Sequence, residues 1–239
     1  MARETVVVSA VRTPFGKYGG GLKDFKATEL GAMVIREAVR RAGIAPDQVD
    51  YVYMGMVVQA GAGQIPSRQA SMGAGLPSQV PSDTINKVCA SGLRAINLGD
   101  MLIRLGEADI VVAGGMESMS QAPFLVRGAR WGLRLGHGEF TDALIHDGLW
   151  CAFGNVHMGV YGSEVAKEFG ITREAQDEWA YRSHMRAVAA REAGKFKDEI
   201  LPVEVPQKKS DPLVLDYDES VRPDTSMEAL RRLRPVFQQ

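Results

Sequence analysis

The sequence has 239 residues, and its 28 Lys+Arg against 29 Asp+Glu leave a formal net charge of −1, which excludes a nucleic-acid platform because neutralising phosphates needs a basic excess. With 45% hydrophobic and 24% charged residues, the chain can bury a core, which excludes disorder. There is no run of about 18 apolar residues to span a membrane and no charged-then-apolar secretory leader, and two cysteines are too few for a disulfide framework or a four-cysteine zinc site, so a reducing, cytoplasmic compartment is expected.

Along the chain, the β-branched run from Thr5 to Ala10 reads as a buried strand, broken by Arg12-Thr13-Pro14 and Gly19-Gly20-Gly21. Thr28 is an expected N-cap for a helix to about Ala42, with Leu30, Met33, Val34 and Ala38 on one face and Gly43 ending it. A second strand is predicted over Tyr51 to Val58, and a short helix from Pro66 to about Gly73. Ser82 to Val88 is extended, and Ser91 to Leu105 is a helix with Leu98, Met101, Leu102 and Leu105 as its apolar face. Asp109 to Ala113 is another strand, stopped by Gly114-Gly115. Such alternation predicts an α/β sheet covered on both faces. Met116 to Met158 shows little period and reads as a long functional loop region. Helices follow over Tyr161 to Phe169 and from Thr172 to about Ala193. Then come a strand-like Glu199 to Val205, a polar turn-rich Lys208 to Pro223 with Lys208-Lys209 as a solvated loop tip, and a short helix from Ser226 to Leu233.

The sharpest local feature is Asn86-Lys87-Val88-Cys89-Ala90-Ser91-Gly92, between an extended run and an apolar helix. A thiol there faces unpaired N–H groups and the positive end of the helix dipole, which favour the thiolate. The small residues after it let a substrate approach, and the backbone N–H groups can hold an oxyanion. The alternative is a structural cysteine packed as a small hydrophobe. Cys151, among Leu149, Trp150, Ala152 and Phe153, fits that structural role. His137, His146, His157 and His184 have no metal-ligand spacing, so no metal is expected. Neither a Walker nor a dinucleotide fingerprint occurs.

The segment Asn86 to Ala95 resembles the nucleophile segment of the thiolases. Val8 to Gly16 resembles their N-terminal strand and loop, Gly61 to Ala70 the block before the nucleophile, and Ala113 to Ser120 the loop after the fourth strand. His157-Met158-Gly159 and Leu233-Arg234-Pro235-Val236-Phe237 are similar to later markers. The resemblance covers the whole chain. It implies the thiolase-like layered α-β-α fold: an N-terminal core over residues 1–115, an inserted loop region over 116–160 and the rest of the N-terminal domain over 161–239.

The resemblance also implies chemistry. Cys89 would be acylated by acyl-CoA, and a second acyl-CoA or free CoA would take the acyl group up. Coenzyme A and its acyl thioesters would be substrates, with no prosthetic group. Leu149 and Met158 resemble the residues lining the pantetheine channel, and His157 the histidine beside them. Arg222 resembles an arginine near the adenine, where a guanidinium can stack and pair with phosphate. Ser226 lies close to a family hydroxyl position. His184 stands where a glutamine is familiar, and Phe124 where a histidine or tyrosine is. The Gly-His-Pro, second cysteine and Asn-Glu-Ala-Phe segments of the family's second half do not occur in these residues. The expectation is therefore an N-terminal half whose C-terminal half is absent, with an apolar surface that includes much of the nucleophile helix. That half would pair with itself as a dimer or tetramer, Trp131, Leu133, Leu135 and Phe140 forming a patch, or with a separately encoded C-terminal half. The alternative is a non-catalytic relative that binds CoA or a partner without turnover.

Overall fold

The computed structural model describes residues 3–208 and 210–237; Lys209, half of the expected loop tip, lies outside the described residues. A parallel sheet forms the centre, in the order β2 (Ser82–Ile85), β1 (Tyr51–Gly55), β3 (Val111–Gly115). Val52 pairs with Ser82 on one side and with Val112 on the other. Period-two alternation splits β1 between the faces of the sheet. Val52 and Met54 join the main core with Ala27, Ala32, Ile35 and Val39 of α1 (Ala27–Ala42) and Ala70 and Ala74 of α2 (Pro66–Ala74). Tyr53 and Gly55 face the other way, and there α3 (Ser91–Leu105) packs on β1 and β3. The result is the mixed α/β, layered arrangement that the alternation of strand and helix predicts.

Several boundaries differ from the sequence reading. Helix α1 begins one residue before Thr28, which is buried, and its N-terminus is satisfied by Glu29 accepting from the Lys26 N–H at 2.9 Å. The face of α3 turned to the sheet is not the predicted leucine stripe. Its buried residues are Ser91, Ala95 and Gly99; of the predicted stripe Leu98 and Leu102 are half-buried and Met101 and Leu105 exposed, as are Leu93 and Ile96. Small residues let the helix axis approach the sheet closely, and the larger side chains are left outside. Gly114-Gly115 does not stop β3 but ends it from within, because a Cβ at Gly115 would lie 3.4 Å from the Gly92 Cα.

The expected first strand is not a strand. Residues 5–10 are extended, but none of them takes a strand partner among the described residues, and Val7 is 82% exposed. A β-branched run is buried only where neighbouring strands and a covering layer exist; here the Thr5 and Ser9 hydroxyls are covered, but Val6, Val7 and Val8 are left exposed. Conversely, the polar stretch after 208 holds a strand: β8 (Val203–Val205) pairs antiparallel with β9 (Leu213–Leu215). Their Val203, Val205 and Leu215 form a second small core with Leu22.

Between β3 and residue 158 lie two short hairpins, β4 (Phe124–Val126) with β5 (Phe140–Asp142), and β6 (Trp150–Cys151) with β7 (Val156–His157). A single π-turn, Leu144–Leu149, leads into the second. Helices α4 (Met158–Glu168) and α5 (Arg173–Glu192) follow, Thr172 capping α5 by accepting from the Ala175 N–H at 3.2 Å. The short α6 (Met227–Arg231) is capped by Ser226. Among the described residues, no helix is long and apolar enough to cross a membrane.

Among the glycines, the closest approach to another segment's backbone is at Gly55. A Cβ there would sit 2.6 Å from the Ser91 carbonyl carbon and 2.7 Å from the Gly92 nitrogen, both backbone atoms that cannot rotate away. Gly55→Ala should therefore cost about 1–3 kcal/mol, the usual range for overpacking, in denaturant melts of the chain. An unchanged midpoint would show that α3 can move off the sheet without cost.

Candidate active site

The C-terminal ends of the parallel strands are where an open α/β sheet offers a ligand site, and three loops meet there. Residues 56–58 leave β1, 86–90 leave β2 and 116–118 leave β3. Cys89 lies on the second, exposed, immediately before α3. The turn that carries it is tight. Val88 has φ +49°, a left-handed conformation that costs a β-branched residue roughly 1–3 kcal/mol. Local bonds hold it there. The Val88 N–H donates to Asn86 Oδ1 at 3.0 Å, the Ser91 hydroxyl donates to the Val88 carbonyl at 2.6 Å, and the Lys87 N–H donates to Ser91 Oγ at 2.8 Å. Among the described residues the Cys89 N–H and Sγ have no hydrogen-bond partner, so both are free to meet a ligand.

Glu117 ties the neighbouring loop down. Its Oε2 accepts from the Val57 and Val58 N–H groups at 2.8 and 3.3 Å. Its Oε1 is buried without a partner. Burial pushes the Glu117 carboxyl above the usual range, and the backbone donors Val57, Val58 and Ser118 offset this only in part. Sequence reading passed over Glu117 within a loop motif. Nothing in its spacing signals a buried carboxylate; the signal is the convergence of two N–H groups from a loop about sixty residues earlier.

The β6/β7 hairpin brings three further residues together. Trp150 pairs with His157, which sets Leu149 opposite Met158 at the open end of the hairpin. His157 is half-buried and caps α4, its Nδ1 accepting from the Gly159 N–H at 3.0 Å, so the ring orientation is fixed. Met158 is 49% exposed. The π-turn ending at Leu149 touches the nucleophile region through its Gly148, which lies against the Val58 side chain. Phe237, at the end of the Leu233-Arg234-Pro235-Val236-Phe237 motif, reaches the same hairpin. Its ring stacks on His157 at 4.7 Å between centroids, and a Cβ at Gly159 would run into it. The cue is the missing side chain at Gly159, two residues after a histidine.

Arg222 and Ser226 lie on the segment that ends at Phe237. The Arg222 N–H donates to His184 Nδ1 at 3.2 Å, joining the two positions that the sequence reading treated separately, and the Arg222 side chain is exposed. The Ser226 hydroxyl accepts from the Ala229 N–H at 3.1 Å; its oxygen caps α6. Cys151 departs from the apolar setting expected for it. The turn of the hairpin folds backbone donors onto Sγ, with Gly154 N–H at 3.4 Å and the Tyr161 hydroxyl at 3.6 Å. The Gly154, Tyr161 and Phe153 bonds hold its thiol below the usual range. A cavity of about 560 Å³ lined by Arg41, Arg191, Phe196, Lys197, Tyr217 and Asp218 lies beside the C-terminus of α1 and includes none of these residues. Among the described residues, no group of three or more His, Cys, Asp or Glu is placed to hold a metal.

Comparison with known proteins gives one family. The model described as thiolase, N-terminal domain, matches residues 5–239. An acetyl-CoA acetyltransferase of Pseudomonas aeruginosa is 49% identical over 235 residues, which are 98% of this chain and 60% of that protein. One of Cupriavidus necator is 51% identical over 234 residues, again 98% and 60%. A probable acetyl-CoA acyltransferase of Staphylococcus aureus is 47% identical over 232 residues, 97% of this chain and 59% of its own. The chain thus spans about 60% of the length of the curated relatives it matches.

The raised Glu117 carboxyl makes stability depend on pH in a fixed sense. The folded state holds this proton more tightly than the unfolded chain, whose value is near 4.5. Stability is therefore lost as pH rises from 4.5 through the raised folded value. In Glu117→Gln that loss is absent, so Tm of wild type minus variant should fall as pH climbs through this window. Parallel Tm curves would show that the carboxyl is not held protonated by its burial.

Proposed function

Because the chain belongs to the thiolase family, whose N-terminal domain it matches, we propose that it provides the acyl-accepting, CoA-binding part of a thiolase-type acyltransferase, in the reducing cytoplasm. The reaction is the reversible condensation of two acyl-CoA molecules, or the thiolysis of a 3-ketoacyl-CoA. The observation that carries this reading is Cys89, exposed on a strained turn at the start of α3 with its N–H and Sγ unengaged among the described residues. The names acetyl-CoA acetyltransferase and acetyl-CoA acyltransferase of the relatives support acetyl-CoA as the donor.

In the first half-reaction the Cys89 thiolate attacks the thioester carbonyl. The new Cys–acyl bond forms, the bond to the CoA sulfur breaks, and CoA leaves as a thiol with the proton that Cys89 gave up. The Cys89 N–H and the dipole of α3 favour the oxyanion at the tetrahedral stage. In the second half-reaction, the α-carbon of another acyl-CoA loses a proton and attacks the acyl carbon, and Cys89 departs as the thiol. In thiolysis the Cys89 thiolate attacks the 3-keto carbon of a 3-ketoacyl-CoA instead, the bond from that carbon to the α-carbon breaks, the α-carbon takes up a proton and leaves as acyl-CoA, and the sulfur of free CoA then takes the acyl group from Cys89, which departs as the thiol. Leu149 and Met158 offer an apolar wall for the pantetheine arm, with His157 held in place between α4 and Phe237. The exposed Arg222 serves the adenine and phosphate end, and Ser226, whose oxygen accepts from the Ala229 N–H to cap α6, keeps its hydroxyl proton and one lone pair to offer. The exposed Trp131, Leu135 and Phe140 support docking of a second copy of the chain on the inserted region.

Proton transfer to and from Cys89 needs a base that the described residues do not place within hydrogen-bond reach of Sγ. The same gap favours the second reading, a chain that binds CoA without turnover. The test separates the half-reaction from the cycle. The 239-residue polypeptide, incubated with acetyl-CoA and mapped by mass spectrometry, should carry acetyl on Cys89 and release free CoA, and Cys89→Ala should carry none. Acetyl found only on Cys151, or on no cysteine, overturns the acyl-accepting role. The same polypeptide should cleave acetoacetyl-CoA at a rate short of a complete enzyme by roughly 10²–10⁴-fold, the usual worth of a general base. Thiolysis at an ordinary enzymatic rate would place the base within these residues.

A further inference from the structure

We infer that Asn86 is a positioning residue for Cys89, acting as a bracket that joins the loop after β1 to the turn after β2 and holds Val88 in the left-handed conformation from which Cys89 projects. This rests on Cys89 being the nucleophile of the proposed function. The carboxamide uses both of its ends. Its Nδ2 donates to the Val57 carbonyl at 3.2 Å, and its Oδ1 accepts from the Val88 N–H at 3.0 Å. Val57 is itself fixed from the other side, its N–H donating to Glu117 Oε2 at 2.8 Å. A continuous series of polar contacts therefore runs from the loop after β3, through the loop after β1, to the residue before the nucleophile.

The arrangement answers a specific physical need. Val88 has a positive φ, which a β-branched residue adopts only under external constraint. Without a bracket the turn relaxes toward negative φ, and the Cα–Cβ direction at Cys89 turns with it. The Ser91 bonds to the Val88 carbonyl and the Lys87 N–H fix the helix side of the turn, but they leave the Val88 N–H to Asn86 alone. A side chain that only filled space at position 86 would do neither job, and Asn86 is exposed, so packing does not account for it.

The test uses site-resolved alkylation of the whole chain with iodoacetamide, Cys151 on the β6/β7 hairpin serving as the internal standard. Asn86→Ala should slow Cys89 labelling relative to Cys151 by roughly tenfold, the scale on which small misplacements of a reacting group act. Glycine enters a positive φ without strain. The double variant Asn86→Ala with Val88→Gly should therefore recover most of the lost rate, which a purely structural role for Asn86 would not allow. Wild-type labelling in Asn86→Ala, or no recovery in the double variant, overturns the inference. Should Asn86→Ala fail to give a cooperative melt, Asn86→Ser carries the test. Its hydroxyl can still accept from the N–H two residues on, so Cys89 labelling should stay above half the wild-type rate, and a lower rate overturns the inference. Because iodoacetamide needs no CoA, failure of acetyl transfer in wild type would sink the proposed function while these ratios still decide the role of Asn86.

Discussion

The contact on which the rest of the site depends is backbone against backbone. The first turn of α3 lies directly on the ends of β1 and β3, with Gly55, Gly92 and Gly115 leaving only small side chains such as Ser91 and Ala95 in the seam. That approach puts the helix N-terminus at the C-terminal edge of a parallel sheet, where the unpaired N–H groups of one element and the loops of three strands share a small space. It also sets the geometry of the link. β2 ends at Ile85 and α3 begins at Ser91, so five residues must reverse the chain with no slack. The left-handed Val88 is the result, and Asn86 and Ser91 are placed to hold it. Strain at Cys89 is thus a consequence of close packing below it.

The same seam explains why α3 is amphipathic in an unexpected sense. A helix held this near a sheet can turn only Ala95 and Gly99 toward it, since larger residues would push the axis out to an ordinary helix–sheet distance. Its larger apolar residues Leu93, Ile96, Met101 and Leu105 therefore face outward, as do Val6, Val7 and Val8 of the extended N-terminal segment. Burial by hydrophobic area and burial by close approach are different requirements here, and on α3 they select opposite faces.

This difference marks what the sequence could reveal. The helices with distinct ends were legible to within a residue or two: α2 from Pro66, α5 from the Thr172 cap, and α3 from the short residues after Cys89. Local chemistry decides such ends. The faces were less legible. Apolar period identified the leucine stripe of α3 but could not tell that glycine and alanine carried the contact. Strand identity failed where it depended on distant partners: residues 5–10 had the composition of a core strand and, among the described residues, no strand neighbour, while Leu213–Leu215, within a polar stretch, found one in β8. In the site, Cys89 announced itself through its setting. Glu117 and Asn86 did not, because their roles lie in hydrogen bonds to the backbone of residues far away in sequence, and backbone partners leave no side-chain signature.

The residues proposed to face CoA are joined to the Cys89 turn by a different kind of connection. The segment that carries Arg222 and Phe237 has little apolar burial of its own. It is held instead where it enters, by two adjacent carboxylates. Asp218 accepts from the Arg12 guanidinium at 2.7 Å and from the Phe15 N–H at 2.8 Å, and Glu219 accepts from the Lys17 and Gly21 N–H groups. Burial works against ionisation of Asp218, yet the Arg12 bonds and the Phe15 N–H outweigh it and hold its carboxyl below the usual range. At its far end the segment is caught again, the Arg173 guanidinium donating to the Leu230 and Leu233 carbonyls and Phe237 stacking on His157. A segment fixed at both ends by directional bonds, with an exposed stretch between them, has a defined path but a side-chain surface free to adapt. That suits a wall contacting a long, flexible ligand, whereas the thiol, which needs one orientation, sits on the part of the fold where backbone packing leaves none to spare.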